Sequence, residues 1–282
     1  MKVAVAGAFG HLGYDVLKQA INKNYEVVAL DLNEKDVPEK GKYIFHKIDV
    51  TNKETLKGTL EGVDVIVSTV GLVSKSAKLT NYDIDLNGNL NLLEEAKASG
   101  VKKFIYVSVI HAETAPDVPM LDAKAKFEEK LKASGLVYSI VRPTGYFYDI
   151  VKVFRPMIEK GTVNLLGKKD HACNVIDTPE FGEFIVAHML DENKTYSIGG
   201  KETWTYRQIA EMCFAAAGKE PNIKCAPTWL FSVLASLPKN KKNGKAAIIK
   251  FSKFTLSNDL VGDTIAGERS FKEYINECFH KE

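Results

Sequence analysis

Short apolar runs alternate with amphipathic stretches along the first half of this 282-residue chain. Val3–Ala6, Glu26–Asp31, Tyr43–Ile48, Val63–Thr69, Lys103–Val109 and Val137–Arg142 read as strands, the last stopped by Pro143. Between them His11–Asn22, Lys53–Leu60, Tyr82–Ser99 and Asp122–Ser134 carry helical spacing, and Gly100 and Gly135 end the last two. The strands lack strict polar alternation, which predicts burial on both faces. Strand–helix alternation with right-handed crossovers then predicts an α/β fold with a doubly wound parallel sheet, a Rossmann architecture. Beyond Pro143 the rhythm loosens. Ile150–Lys160, Pro179–Leu190 and Thr205–Ala217 read as helices and Tyr196–Ile198 as a strand, while the tail from Pro221 mixes aromatic residues with Pro and Lys.

The first strand runs into Gly7-Ala8-Phe9-Gly10-His11-Leu12-Gly13, and a helix follows. A glycine-rich turn between strand and helix lets backbone N–H groups approach a pyrophosphate, and the helix N-terminus favours its negative charge. The spacing is G-x-x-G-x-x-G rather than G-x-G-x-x-G. Residues 1–150 are therefore expected to form an NAD(P)-binding Rossmann domain whose sheet is extended by parts of 170–200. Residues 151–282 are expected to form a smaller, mixed substrate lobe.

Composition narrows the partners. Hydrophobic residues make up 45% and charged residues 26%, ordinary for a globular chain with a sizeable core. A net charge of +2 gives no support to nucleic-acid binding. The basic cluster at residues 239–245 reads as a solvated loop. Cys173, Cys213, Cys225 and Cys278 are widely spaced without C-x-x-C, so neither zinc nor a disulfide framework is expected. No signal pattern opens the chain and no apolar run approaches the ~18 residues of a spanning helix. The expectation is a soluble cytoplasmic protein with a small-molecule substrate or nucleotide as its partner, and with no nucleic-acid, membrane or metal partner.

A family resemblance rests on longer stretches. AVAGAFGHLG, the LD ending strand 2, IDVTN, VDVIVSTVG and DLNGNLNLLEEAKASGVKKFIYVS follow the order of extended short-chain dehydrogenase/reductases. AKAKFEEKLKASGLVYSIVRPTGYF and YSIGGKETWTYRQIAEMCFAAAGKEP resemble the atypical branch, the NmrA-like and divinyl chlorophyllide 8-vinyl reductase-like proteins. The resemblance implies NAD(P). A carboxylate at Asp31 can accept from the ribose hydroxyls and repels a 2′-phosphate, which favours NAD over NADP, although Lys35 is near enough to help a phosphate and Asp31 can equally be a turn residue. Asp49 and Val50 match the position that cradles adenine in the family, or Asp49 caps the following helix. Ser68, Thr69, Val70 and Gly71 end strand 4 at the ligand edge of the sheet. Asn87 and Asn91 are candidates to brace that turn, or surface amides. Pro143 and Thr144 match the loop near the nicotinamide carboxamide, whereas Arg142 reads as a structural partner of a carboxylate.

The family's acid–base machinery is incomplete here. Aligned on AKAKFEEKL, its Lys falls on Lys124, but Met120 stands where the Tyr of Tyr-x-x-x-Lys belongs; taking Lys126 instead pairs it with Asp122. Ser108 ends strand 5, and Val109, Ile110 and His111 occupy the usual position of the catalytic hydroxyl. Lys124 can hold the nicotinamide ribose or be a solvent-facing lysine. His111 can donate a proton near neutral pH or be merely exposed. Tyr146 and Tyr148 can enter the pocket or pack. Phe154, Trp204, Trp229, Phe231, Phe251 and Phe254 suit an apolar pocket, though helix packing explains most of them. Three activities fit: an oxidoreductase acting on a small or medium apolar carbonyl or alkene, an NAD(P)-binding regulator without turnover, and an NAD-dependent epimerase or isomerase.

Overall fold

The computed structural model describes residues 1–72, 78–167, 170–242 and 244–280. The chain divides into two compact units, Met1–Arg142 with Phe181–Tyr196, and Pro143–Glu180 with Ser197–Glu282. In chain order the first stretch holds β1 (Lys2–Ala6), α1 (His11–Asn22), β2 (Glu26–Asp31), β3 (Ile44–Lys47), β4 (Val65–Ser68), a π-helical segment (Tyr82–Gly88), α2 (Asn89–Ala98), β5 (Lys103–Val107), α3 (Pro119–Lys132) and β6 (Val137–Pro143). There follow α4 (Phe147–Glu159), β7 (Val163–Leu166), β8 (Ala172–Cys173), α5 (Thr178–Ala187), β9 (Lys194–Gly199), β10 (Trp204–Thr205), α6 (Tyr206–Ala216), β11 (Ile223–Ala226), α7 (Thr228–Ser236), α8 (Pro238–Lys242), α9 (Lys245–Leu256), β12 (Thr264–Ile265) and α10 (Phe271–His280).

Eight strands form one parallel sheet in the order β12-β9-β6-β5-β4-β1-β2-β3, the predicted doubly wound fold. Strand order reverses at β1, between β2 and β4, so the carboxyl ends of β1 and β4 flank the crevice where such sheets bind ligands. β4 and β5 are buried along their whole length, as the continuous apolar runs require. Phe127 of α3 anchors one face, its ring 5.7 Å from Phe104 and 4.5 Å from Tyr106. α1 turns Leu12, Val16, Leu17 and Ala20 inward.

Several expected elements change. Lys53–Leu60 forms only a 3₁₀ turn at Lys53–Thr55, because the Thr55 hydroxyl is drawn back to the carbonyls of Asp49 and Asn52, and Gly58 (φ +74°) breaks the run. The helix expected over Tyr82–Ser99 opens as a π-helix. There the Asn89 amide bonds the carbonyls of Ile84 (3.4 Å) and Asp85 (3.0 Å), groups that a regular ladder would use. The cluster at 239–245 is no loop. Pro238 opens α8 and Gly244 precedes α9, although Asn243 and the side chains of Lys241 and Lys242 lie outside what the structure describes.

In the second unit, β7 pairs with β11 and β8 with β10. A Thr205–Gln208 capping box starts α6. Phe147 packs its ring 4.7 Å from Phe271 and 5.3 Å from Tyr274. Buried Asn174 clasps Gly262, accepting from its N–H at 2.9 Å and donating to its carbonyl at 3.1 Å. Phe154 is core, and Trp204, Phe231, Phe251 and Phe254 are half-buried. Trp229 is 63% exposed, so packing does not explain it.

Burial of Lys103 at the start of β5, where its ammonium donates to the Asp191 carbonyl, lowers its pKa to about 8. In the unfolded chain it titrates near 10.4. The native state therefore binds that proton more weakly. The penalty is present in full below about pH 8 and fades as pH rises toward ~10.4. Between about pH 8 and pH 9.5, the urea midpoint of the wild type should climb relative to that of Lys103→Met; parallel curves would show that Lys103 is not the source.

Candidate functional site

β1 delivers the chain into the glycine turn. The N–H groups of Gly7 and Ala8 both bond the Leu30 carbonyl (2.9 and 3.3 Å), and that of Gly10 bonds the Gly7 carbonyl (3.0 Å). Gly7 sits at φ +77°, and a Cβ there would stand 2.8 Å from Thr69 Oγ1. A Cβ on Gly13 would lie 2.0 Å from the Gly7 carbonyl oxygen, so α1 can meet β1 only through a glycine. Ala8, Phe9 and Leu12 point inward, Phe9 against the rings of Tyr43 and Phe45. Gly10 and His11 stay exposed. Gly10 is the N-cap of α1, where no side chain caps the helix and no acidic residue occupies the first turn. A Cβ at Gly10 would meet nothing but the Gly7 carbonyl, at 3.3 Å. This helix end is open, carries no acidic residue in its first turn and is approachable by backbone alone, which fits a dinucleotide pyrophosphate.

Asp31 and Lys35 close around the same turn. Asp31 accepts from the N–H groups of Phe9 (2.8 Å) and Leu32 (2.7 Å), while the Lys35 ammonium donates to the Phe9 carbonyl (2.6 Å). A carboxylate and a cation thus hold the N–H and the carbonyl of one loop residue, Phe9. Asp49 spends one carboxylate oxygen on Thr51, through its N–H (2.9 Å) and hydroxyl (2.7 Å), and the cap of the next turn is Asn52. Val50 lies over Gly88, where a Cβ would come within 2.7 Å of it, and its carbonyl accepts from Asn91 at 2.8 Å.

The end of β4 is braced by neither Asn87, which is exposed, nor Asn91. Asn89 does it, accepting from the Ser68 hydroxyl (2.5 Å) and donating to the Val70 carbonyl (3.3 Å). The Thr69 hydroxyl returns to the Ala6 carbonyl at 2.9 Å, and Val70 N–H reaches Ser68 Oγ at 3.4 Å. Gly71 leaves room for Asp85, whose Oδ1 would be 2.9 Å from a Cβ there. Wholly buried Asp85 accepts from Leu72 N–H (3.1 Å) and Asn81 (3.0 Å), and its other oxygen faces Lys124 Nζ at 3.2 Å. That last contact is an ion pair without hydrogen-bond alignment, since Oδ1 has no directed donor. Lys124 is therefore no solvent-facing lysine. It also donates to the Val107 carbonyl at 3.2 Å and approaches Tyr106 Oη at 3.5 Å. The Tyr106 hydroxyl is fully buried, which pushes its pKa well above the ordinary value. Next to Val107, the buried Ser108 Oγ has no hydrogen-bond partner among the described residues.

Asp85 and Asn89 escaped the sequence reading. The signal was two polar residues four apart on the face that continues to Leu92, Leu93 and Ala96, where solvated amides do not belong. Asp122 is bonded by Tyr82 Oη (2.7 Å) and Lys126 Nζ (2.6 Å), and the hydrogen bond to that carboxylate, aided by burial, raises Tyr82 to about 12. Met120 is half-buried. His111 is held left-handed at φ +57°, its carbonyl accepting from Thr114. Arg142 forks onto Glu128 (3.0 and 2.5 Å) and reaches Glu113 at 3.1 Å. Pro143 and Thr144 belong to the second unit, where Thr144 donates to the carbonyls of Ile198 (3.1 Å) and Asn174 (2.9 Å). Tyr146 and Tyr148, also there, stack on one another at 5.8 Å.

The sequence pattern of the NmrA-like family matches residues 1–261. The chain belongs to that family. Among relatives of this NmrA-like chain, the photosystem II assembly factor Ycf39 of Guillardia theta is 28% identical over 237 residues, covering 82% of this chain and 74% of the relative. The divinyl chlorophyllide a 8-vinyl-reductase of Arabidopsis thaliana is 30% identical over 274 residues, covering 85% of this chain and 64% of the relative. The NADPH-dependent quinone oxidoreductase QOR2 of Escherichia coli, solved with NADPH, superposes with a TM-score of 0.73 at 21% identity, over 99% of this chain and all of that one. The expected cytoplasmic location does not stand, since the Arabidopsis reductase and its cucumber counterpart are chloroplastic proteins. Free thiols suit any reducing compartment and could not single out the cytoplasm.

Two outcomes follow from this geometry. Gly13→Ala places a methyl against backbone and should lower the unfolding free energy by about 2–4 kcal/mol, whereas Gly10→Ala should change it by no more than about 1 kcal/mol; equal urea midpoints would refute the close packing at Gly13. Asp85→Asn and Lys124→Met should each cost about 3–5 kcal/mol by stranding the partner's charge, and the double variant should cost less than their sum by about 1–3 kcal/mol. Strict additivity in that cycle would mean the pair does not interact.

Proposed function

We propose that this NmrA-like chain is an NAD(P)-dependent oxidoreductase that reduces a small or medium apolar carbonyl or activated alkene. The observation that carries the reading is Lys124, buried at the carboxyl edge of the sheet, paired to Asp85 and bonded to the carbonyl of Val107, the residue before Ser108, whose buried hydroxyl has no partner among the described residues. Burying an ion pair is costly, so one held at the ligand edge of a parallel sheet is a candidate for chemistry. A relative that is a vinyl reductase and a structural neighbour that binds NADPH support the same class.

When bound, NAD(P)H supplies the hydride. The open first turn of α1 and the backbone at Gly10 hold the pyrophosphate, and Asp31 takes the adenosine ribose hydroxyls. Asp31 favours NAD, while Lys35 on the same loop keeps NADP binding within reach. Lys124 has three donors. Its longest contact, to Tyr106 at 3.5 Å, is the one that a ribose hydroxyl replaces. Ser108 polarises the substrate oxygen and Lys124 provides the proton. A second reading, an NAD(P)-binding regulator without turnover, is favoured by Met120 at the tyrosine position.

Fluorescence titration should give submillimolar NADH binding that Gly10→Val abolishes. Asp31→Ala should weaken NADH by about tenfold, and Lys35→Ala should weaken NADPH more than NADH. With quinones, aldehydes and enones as substrates, Lys124→Ala should cut kcat by about a hundredfold. Tight cofactor binding with no turnover on any of these would favour the regulator, and failure of Gly10→Val to affect binding would sink both readings.

A further inference from the structure

α7 is nine residues, TWLFSVLAS, without a charged side chain. Ala235 is its one buried residue, and α9, which packs beside it, has none. Trp229 (63% exposed), Leu230 (36%), Val233 (47%) and Leu237 (42%) recur at i, i+1, i+4 and i+8, and form one apolar face; Ile248 of α9 is 41% exposed. Such a contiguous face is not the scattered exposure ordinary surfaces carry. Lys253 of α9 donates to Ser232 of α7 at 2.8 Å, which ties the two helices together.

Charge says what covers this face. From Pro221 to Asn258 the chain carries Lys224, Lys239, Lys241, Lys242, Lys245, Lys250 and Lys253, and neither Asp nor Glu. The whole chain carries only +2, so the remainder is net acidic and the positive charge is concentrated in this hairpin. We propose that α7–α9 docks the protein on a bilayer surface rich in anionic lipid. Trp229 sits at the level of the headgroups, the aliphatic side chains enter the acyl boundary, and the lysines meet the lipid phosphates. A second copy is the poorer occupant, because a two-fold contact brings one lysine-rich segment up against another. Nucleic acid is poorer too, since an aliphatic face offers bases little to stack on. No helix among the described residues is long and apolar enough to cross a membrane. Lying on one requires no such helix, which is why hydropathy along the chain predicted no membrane partner.

The test is flotation of the full chain with phosphatidylcholine vesicles, with and without one-third phosphatidylglycerol. The wild type should bind the anionic vesicles, with a blue shift of Trp229 emission that Trp229→Phe removes, and should bind the neutral ones far less. Trp229→Ser/Leu230→Ser/Val233→Ser and Lys239→Gln/Lys241→Gln/Lys242→Gln/Lys245→Gln should each lower partitioning by about tenfold or more. Circular dichroism checks that each variant is folded. Three results would overturn the proposal: no binding by the wild type, a dimer that the triple serine variant converts to monomer by light scattering, or binding to duplex nucleic acid in preference to vesicles at the same ionic strength.

Discussion

Asp85 and Lys124 meet at 3.2 Å with side chains only 1% and 10% exposed, and much of the first unit's ligand edge is arranged around keeping them there. Two charges so far from water are tolerable only when each finds several partners. Asp85 is supplied by Leu72 N–H and Asn81, Lys124 by the Val107 carbonyl and the nearby Tyr106 hydroxyl. Each supplier constrains something else. Gly71 has to lack a side chain so that the carboxylate fits. The helix carrying Asp85 opens to π geometry, which turns Asn89 onto the carbonyls of Ile84, Asp85 and Val70 and its oxygen onto Ser68. Through these links one ion pair sets the shape of the turn after β4, which lies beside β1 at the point where strand order reverses.

The glycine turn is locked from the other side. Thr69 fills the space that a Gly7 side chain would need, and the Gly7 carbonyl fills the space that a Gly13 side chain would need. Asp31 and Lys35 then grip the two ends of the Phe9 backbone unit, the carboxylate on the N–H and the ammonium on the carbonyl. What remains exposed is Gly10 and His11 at the start of α1. The loop's conformation is thus set by contacts within the chain.

Strands were legible because a parallel sheet buried on both faces leaves unbroken apolar runs; β2 and β5 begin where expected and β1 one residue earlier. The glycine turn was legible because its spacing is dictated by backbone clearance. Other features depend on contacts between distant residues. Nothing local in Lys53–Leu60 announces that the Thr55 hydroxyl will be drawn to Asp49 and Asn52. Lys124 sits in a lysine-rich helix, and its burial depends on Asp85, 39 positions away and itself disguised among asparagines. Trp229 misled for the opposite reason: an aromatic residue on a helix reads as core unless its neighbours' packing is known.

The tyrosines near the site do not repair the loss at Met120. Tyr106 lies close to Lys124, but burial raises its pKa far above the ordinary value and its ring is wedged edge-on against Phe127. Tyr82 brings a hydroxyl to Asp122, the residue that takes the tyrosine position if Lys126 is aligned, yet the hydrogen bond to that carboxylate raises it to about 12. A general acid works best when its pKa lies near the operating pH. Both phenols are therefore displaced in the wrong direction for proton delivery near neutrality, and both are already committed to structural contacts. In the proposed reductase, acid–base work would fall to the buried Lys124 and the unpartnered Ser108, so the choice between reductase and regulator turns on whether Lys124 can release a proton without stranding Asp85.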